Sequence, residues 1–278
     1  MERAVIRRKA TEHDGEARDG GVQSVDRALH IIETLAEDDE GYRLSDLAVR
    51  TGLSTSTAHR LLTTLEKRRF VQFDRTESKW HVGAKSFAVG ATFTRRRNFV
   101  AQAMPYLRKL RDQTRETANL AVVDDESIIV LTRIESREIM RSLTKVGGRV
   151  AMVASGVGKA VLATYADEDV SAIIRRHGMP RLTEKSIIRA GDLFRELAAV
   201  RRQGYAVDDE EARMGLRCVA AVVFNDCSEP LAAISVSGMT SRVTEARLPE
   251  VGKAVREVAA ELTAAIGGVM PAPTAKSA

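Results

Sequence analysis

Three stretches in the second half of the chain carry residues whose types could do chemistry. Ala154-Ser155-Gly156-Val157-Gly158-Lys159-Ala160 resembles a phosphate-binding loop at first sight. Such a loop requires GxxxxGK followed by Ser or Thr. Here Val153 stands at the first glycine position and Ala160 at the hydroxyl position, so the match fails. What remains is a helix start opened by glycine. First-turn N–H groups lack intrahelical acceptors and lie at the positive end of the helix dipole, so those of Gly156 and Val157 can hold a carboxylate. In Ala233-Ile234-Ser235-Val236-Ser237 the alternation of strand side chains puts both hydroxyls on one face. That face is either the wet side of an edge strand or a buried surface whose hydroxyls need partners. Cys218 begins a facing apolar strand and reads by pattern as a core thiol. Asp208, after Tyr205-Ala206-Val207, reads by pattern as a turn residue.

An enzyme acting on a small oxo acid would use Cys218 as nucleophile or Asp208 as base. Either role needs a partner group within hydrogen-bond reach. No histidine shares a motif with them: His30, His59 and His81 belong to the N-terminal half, and His177 sits in a Gly-Met-Pro turn. No metal-ligand cluster or cofactor loop is visible, so no catalytic residue, metal or cofactor is expected. Cys218 and Cys227 lie nine residues apart without a CxxC pair. That argues against a disulfide framework or zinc site and suits a reducing cytoplasm.

The N-terminal half offers a different chemistry. A helix-turn-helix needs a small residue where its helices touch and a residue tolerant of positive φ in the turn. Counting from Leu44, Ala48 takes the first position and Gly52 the second, with Leu47, Leu53, Ala58 and Leu61 as the apolar contacts. The second helix then shows Ser54, Thr55, Ser56, Thr57, His59 and Arg60 to a DNA groove. Short hydroxyls suit phosphate oxygens and longer side chains suit base edges. Ser45, Lys67, Arg75 and Lys79 complete the candidate DNA-binding set, and Arg68 and Arg69 add charge nearby. The 23–83 segment is close to neutral, so affinity must come from placement. Residues 85–115 add eight basic residues against one acid, Asp112. Near DNA they would feel its phosphates; otherwise they form a solvated helical face.

The elements that must position these groups are legible as patterns. Ser24 is a plausible N-cap for a helix carrying Val25, Ala28, Leu29, Ile32 and Leu35 at helical spacing. Ser45 can cap a short second helix and Ser54 a third that runs to about 68. Two β-rich stretches, 70–73 and 79–82, joined by the polar turn 74–78, form a wing. Two helices follow over 84–115, the second striped by Phe99, Ala103, Met104, Leu107 and Leu110, with Pro105 in its first turn or at a kink. Beyond 117, strands 120–123 and 128–131 form a hairpin, helices are expected near 156, at 191–202 and at 244–266, and strands 218–224 and 231–236 pair across the 225–230 turn. Strands mixed with helices indicate an α+β domain. The expected organisation is a disordered tail over 1–22, a winged helix-turn-helix over 23–83, a linker helix over 84–98, an effector-binding domain over 99–268 and a tail over 269–278. A length of 278 residues suits two domains, and 44% apolar residues suit a folded soluble protein. The net charge of +5 permits nucleic-acid binding, and no stretch reads as a membrane span or secretory signal. The size and apolar content of the second domain weigh against a purely architectural DNA-binding protein.

The runs STSTAHRLLTTLEKRRFV, WHVGAKSFAVG, VGGRVAMVASGVGKAVLA and GYAVDDEEARMGLRCVAA…EPLAAISVSG together resemble the IclR family of bacterial regulators over about residues 22–266. Within that family the likeness is to the glyoxylate-sensing branch. The resemblance implies a winged helix-turn-helix, a linker helix used in dimerisation and a GAF-like effector domain. It implies a homodimer or dimer of dimers on double-stranded palindromic operator DNA, controlled by a small 2-oxo acid, glyoxylate or pyruvate. By motif match it places Gly156, Val157, Asp208, Cys218, Ser235 and Ser237 around the ligand, with Ile139, Val150 and Leu216 as apolar wall. Two features depart from the family pattern. Arg69 stands where a glycine usually ends the recognition helix, so that helix either runs on or holds a non-glycine residue at positive φ, at roughly 1 kcal/mol. Ala151 and Val153 replace a proline and a histidine common in the family, beside the pocket.

Overall fold

In a computed structural model, which describes residues 22–97, 99–124, 127–136 and 145–271, the periodicities of the chain resolve into two units divided between Phe93 and Thr94. The first holds helices α1 (Gln23–Ala36), α2 (Leu44–Arg50) and α3 (Thr55–Lys67) and the antiparallel hairpin of β1 (Val71–Asp74) and β2 (Lys79–Val82). Helix α4 (Ala84–Arg97) spans the division. Ile31, Leu35, Tyr42, Leu47, Leu62, Val71 and Trp80 form the core of the first unit. The stripe on α1 is rotated from the sequence expectation: Ile31 and Leu35 are buried, whereas Val25 and Leu29 are each 54% exposed. Ser24 is not the cap of α1. The helix begins two residues earlier than such a cap would set it, at Gln23 after Val22, and no side chain caps it.

Both helices of the helix-turn-helix end in the same way. Gly52 (φ 64°) follows α2, and the N–H of Leu53 reaches back to the carbonyl of Ala48. Arg69 (φ 62°) follows α3, and the N–H of Phe70 reaches back to that of Leu65. A left-handed residue just past the helix lets the chain turn while satisfying otherwise orphaned carbonyls. Of the two options open for Arg69, the chain takes the strained one. Ala48 and Ala58 are buried where α2 and α3 meet, and their small side chains permit close approach.

In the second unit α5 (Phe99–Thr114) leads into β3 (Thr117–Asp124), β4 (Ser127–Ile134) and β5 (Arg149–Val150). Three helices follow, α6 (Gly156–Leu162), α7 (Asp167–His177) and α8 (Ala190–Gln203). Then come β6 (Ala206–Asp209), β7 (Leu216–Phe224), β8 (Pro230–Met239), a short 3-10 turn and α9 (Leu248–Ala265). The six strands make one antiparallel sheet in the order β5-β4-β3-β8-β7-β6. One face packs on α5 and α9 through Leu107, Leu110, Val219, Ile234, Val255 and Leu262. The other packs on α6, α7 and α8 through Val157, Val161, Ile173, Leu193, Cys218 and Ala220.

Three sequence expectations change here. Pro105 lies well inside α5 rather than in its first turn. His177, read as a turn residue, closes α7, a helix that the pattern did not reveal. Asp208 lies in β6, not in a turn. The choice left open for β8 is also settled. It runs between β3 and β7, so Ser235 and Ser237 are on an interior strand.

Candidate functional site

In the first unit α3 is exposed along much of its length. Ser54 caps it, the hydroxyl accepting from the N–H of Thr57 at 3.3 Å and lying 2.8 Å from the Thr57 hydroxyl. Thr55, Ser56, His59 and Arg60 are exposed beside it, and Thr57 is half-buried. Arg60, Thr64 and Lys67 share a face by helical spacing. With His59 and Thr63 they line part of an open concavity of about 510 Å³. Ser45 does not cap α2, which begins at Leu44 after Arg43. Its hydroxyl instead donates to Asp46 at 3.2 Å. The turn of the wing is held by Asp74, whose Oδ1 accepts from the N–H groups of Thr76 and Glu77 at 2.7 and 3.1 Å. Arg75 is exposed in that turn, and Lys79 pairs with Glu77 at 3.2 Å. The hydroxyls at the start of α3 and the charges along it thus lie on one element, with Ser45, Arg75 and Lys79 on its neighbours.

The second unit gathers polar groups on the sheet face that meets α6. Strand register aligns Thr117, Ser237, Cys218 and Asp208 in one row, and Asn119 with Ser235 in the next. Residues in register or two apart along a strand share a face. Asn119, Cys218, Asp208 and Ser235 are buried there and Ser237 is half-buried. Asn119 Nδ2 donates to Ser235 Oγ at 3.3 Å and to Ser237 Oγ at 3.2 Å. Cys218 adjoins both serines on the neighbouring strand, paired with Ser237 and two residues from Ala220, the partner of Ser235.

Helix α6 lies against this row because its glycines allow it. A Cβ on Gly156 would stand 2.9 Å from the carbonyl oxygen of Cys218 and 3.3 Å from its sulfur. A Cβ on Gly158 would stand 1.9 Å from the carbonyl oxygen of Met152. Ser155 caps the helix by accepting from the N–H of Gly158 at 3.0 Å. Gly156 and Val157 are therefore its first two residues, whose N–H groups have no intrahelical acceptor.

Charge is managed by burial. Asp208 is 3% exposed, and its Oδ1 accepts from the N–H groups of Glu211 and Ala212 at 2.7 and 3.3 Å. Desolvation outweighs these bonds and pushes its carboxyl up to about 6. Burial, and then the nearby Asp208, pushes the Cys218 thiol up to about 11, so it carries no thiolate to act as nucleophile. Behind Asp208 the fully buried Lys159 pairs with Glu211 and, at 3.4 Å, with Glu196 on α8. Burial raises the Glu211 carboxyl, and its Oε2 has no hydrogen-bond partner.

Six of the nine pocket residues named from sequence thus converge: Gly156, Val157, Asp208, Cys218, Ser235 and Ser237. Leu216 shares their sheet face two residues before Cys218. Val150 packs against the same apolar cluster from the edge strand β5. Ile139 lies outside the described residues. Asn119, Lys159 and Glu211 were missed. A lone amide between Ala118 and the apolar run Leu120-Ala121-Val122-Val123 and a lone ammonium inside Val157–Leu162 are the signals that point to the first two; no pattern marks Glu211.

A helix-turn-helix model, described as the IclR helix-turn-helix domain, matches residues 24–75. The model for the bacterial transcriptional regulator IclR C-terminal domain matches residues 91–264. The chain belongs to the IclR family of transcriptional regulators. The transcriptional repressor IclR of Escherichia coli is 40% identical to this regulator over 252 residues, 90% of this chain and 92% of the relative. The acetate operon repressor of Salmonella typhimurium is 41% identical over 251 residues, with the same coverage. Among solved structures, an IclR transcriptional regulator from Alicyclobacillus acidocaldarius superposes with a TM-score of 0.77 at 27% identity, covering 89% of this chain and all of that one. These relatives are DNA-binding regulators and not enzymes, so the polar row of the second unit belongs to an IclR-type effector domain. Among the described residues no helix is long and apolar enough to cross a membrane.

Proposed function

We propose that this regulator binds palindromic operator DNA as a homodimer or dimer of dimers, through α3 and the wing, and that glyoxylate is the small 2-oxo acid controlling that binding. The observation that carries the effector reading is the largely buried polar set Asn119, Ser235, Ser237, Cys218 and Asp208 on the sheet face that meets α6. It has a donor end and an acceptor end. The N–H groups of Gly156 and Val157 and the hydroxyls of Ser235 and Ser237 suit one carboxylate. Asp208, ionised above about pH 6, repels that carboxylate and belongs at the other end of the ligand. Glyoxylate is largely hydrated in water, so its gem-diol offers two O–H donors that Asp208 accepts; pyruvate, mostly a ketone, offers none. The acetate operon repressor, a relative named for a two-carbon acid, supports a ligand of this size. Control of DNA binding follows if the ligand has different affinities for two arrangements of the same oligomer.

The test is a gel shift on the DNA upstream of the regulator's own gene, titrated with glyoxylate and with pyruvate. Retardation that responds to glyoxylate more than to pyruvate is expected. No retardation at low salt, with or without either acid, overturns the reading. Titrating Asp208→Asn protein with both acids isolates the gem-diol role, which is discarded if the relative affinity is unchanged.

A further inference from the structure

We infer that Asn119 is the residue that commits this pocket to carboxylate ligands, by holding Ser235 and Ser237 as hydrogen-bond donors. The inference rests on the effector reading above and concerns a residue outside the set predicted from sequence. A serine hydroxyl donates one hydrogen bond and accepts others, so by itself it does not distinguish an acid from a neutral analogue. Here the strand register brings Asn119 level with Ser235, and the amide reaches Ser237 diagonally. Its Nδ2 group spends one hydrogen on each hydroxyl oxygen, at 3.3 and 3.2 Å. With an oxygen lone pair of each serine so engaged, each O–H proton must point elsewhere.

The direction left to it is toward Cys218, which the register pairs with Ser237 and sets two residues along β7 from Ala220, the partner of Ser235. Sulfur is a weak acceptor. A carboxylate oxygen entering beside Gly156 therefore takes over both O–H donors at little cost, whereas a stronger acceptor in place of the sulfur would compete with it. Asn119, Ser235 and Cys218 are all buried, so water does not readily re-orient the set. The site is pre-set to donate, and a ligand that itself donates at this position leaves hydroxyls facing N–H groups.

The test compares glyoxylate with glyoxylamide, which keeps the gem-diol and replaces only the carboxylate, by calorimetric titration of the full-length protein. Wild type is expected to prefer the acid. In Asn119→Asp the new carboxylate accepts from both serines and adds a like charge. Affinity for glyoxylate should fall by about 100-fold or more, while glyoxylamide, whose NH₂ can now donate to the serines, holds or gains, so the preference inverts. In Asn119→Ala the hydroxyls turn freely. Glyoxylate should weaken by roughly tenfold and the acid-to-amide ratio should shrink. A merely structural role would weaken both ligands alike, so an unchanged ratio in the variants overturns the inference. If Asn119→Asp fails to fold by circular dichroism, the ratio in Asn119→Ala decides. A wild type that binds glyoxylate alongside variants with an unchanged ratio sinks only the role of Asn119. A wild type that binds neither glyoxylate nor pyruvate sinks the effector reading and the inference with it.

Discussion

Replacing Asp208 by Asn should make the effector domain more stable at alkaline pH, although it alters a buried, hydrogen-bonded residue. The folded carboxyl titrates at about 6, against 3.8 for an unperturbed aspartate, and desolvation is the leading cause. A folded pKa raised above the unfolded one means that the native state binds more protons, so stability is highest at low pH and falls as pH rises. The loss begins near the unfolded value and is complete above about pH 7. The gap between those two pKa values, at about 1.36 kcal/mol for each pH unit, sets the full penalty at about 3 kcal/mol. At about pH 5 roughly half of it is already present, so the remainder, about 1.4 kcal/mol, accrues between about pH 5 and pH 8. The amide introduced by Asp208→Asn keeps an acceptor for the N–H groups of Glu211 and Ala212 and removes the titrating charge. The stability difference, variant minus wild type, should therefore grow by that amount over this interval. The variant retains some slope, because burial also raises Glu211. The measurement is chemical denaturation followed by far-ultraviolet circular dichroism and by the fluorescence of Tyr106, Tyr165 and Tyr205. The single tryptophan, Trp80, lies in the other unit and serves as an internal control. A stability difference that stays constant or shrinks across that pH range would refute the assignment of a desolvated, proton-binding Asp208.

Arg69→Gly should stabilise the DNA-binding unit by up to about 1 kcal/mol, because Arg69 holds φ 62° without the freedom of glycine; Trp80 fluorescence during denaturation reads this directly, and an unchanged or lower midpoint contradicts it. Gly156→Ala should weaken glyoxylate binding by at least about tenfold while operator binding without ligand persists, since the added methyl meets the backbone carbonyl of Cys218 at 2.9 Å; titration calorimetry paired with a gel shift separates the two effects. Native protein treated with a thiol reagent should modify the exposed Cys227 and leave the buried Cys218 untouched until denaturant is added; rapid labelling of both thiols would show that the pocket opens more than the structure indicates.

Much of this protein is local in origin and therefore legible along the chain. Ala48, Gly52 and Ser54 mark a helix-turn-helix because a close contact, a left-handed turn and an N-cap each depend on a residue and its immediate neighbours. The β7–β8 hairpin is legible for the same reason, two apolar runs meeting at a polar turn. Glycines at 156 and 158 likewise announce a helix start, although only the packed structure shows that they make room for Cys218 and Met152. What the chain alone left open depends on register between distant strands. Whether Ser235 and Ser237 lie on a wet edge strand or an interior one turned on β8 lying between β3 and β7, more than a hundred residues of separation closing into one ladder. The amide of Asn119 meets both serines only through that pairing, and the partners of Lys159, Glu211 and Glu196, are brought to it only by the tertiary fold. Helical and strand periods are set by backbone geometry within a few residues. The polarity and pKa of a buried group are set by whatever the tertiary fold brings against it.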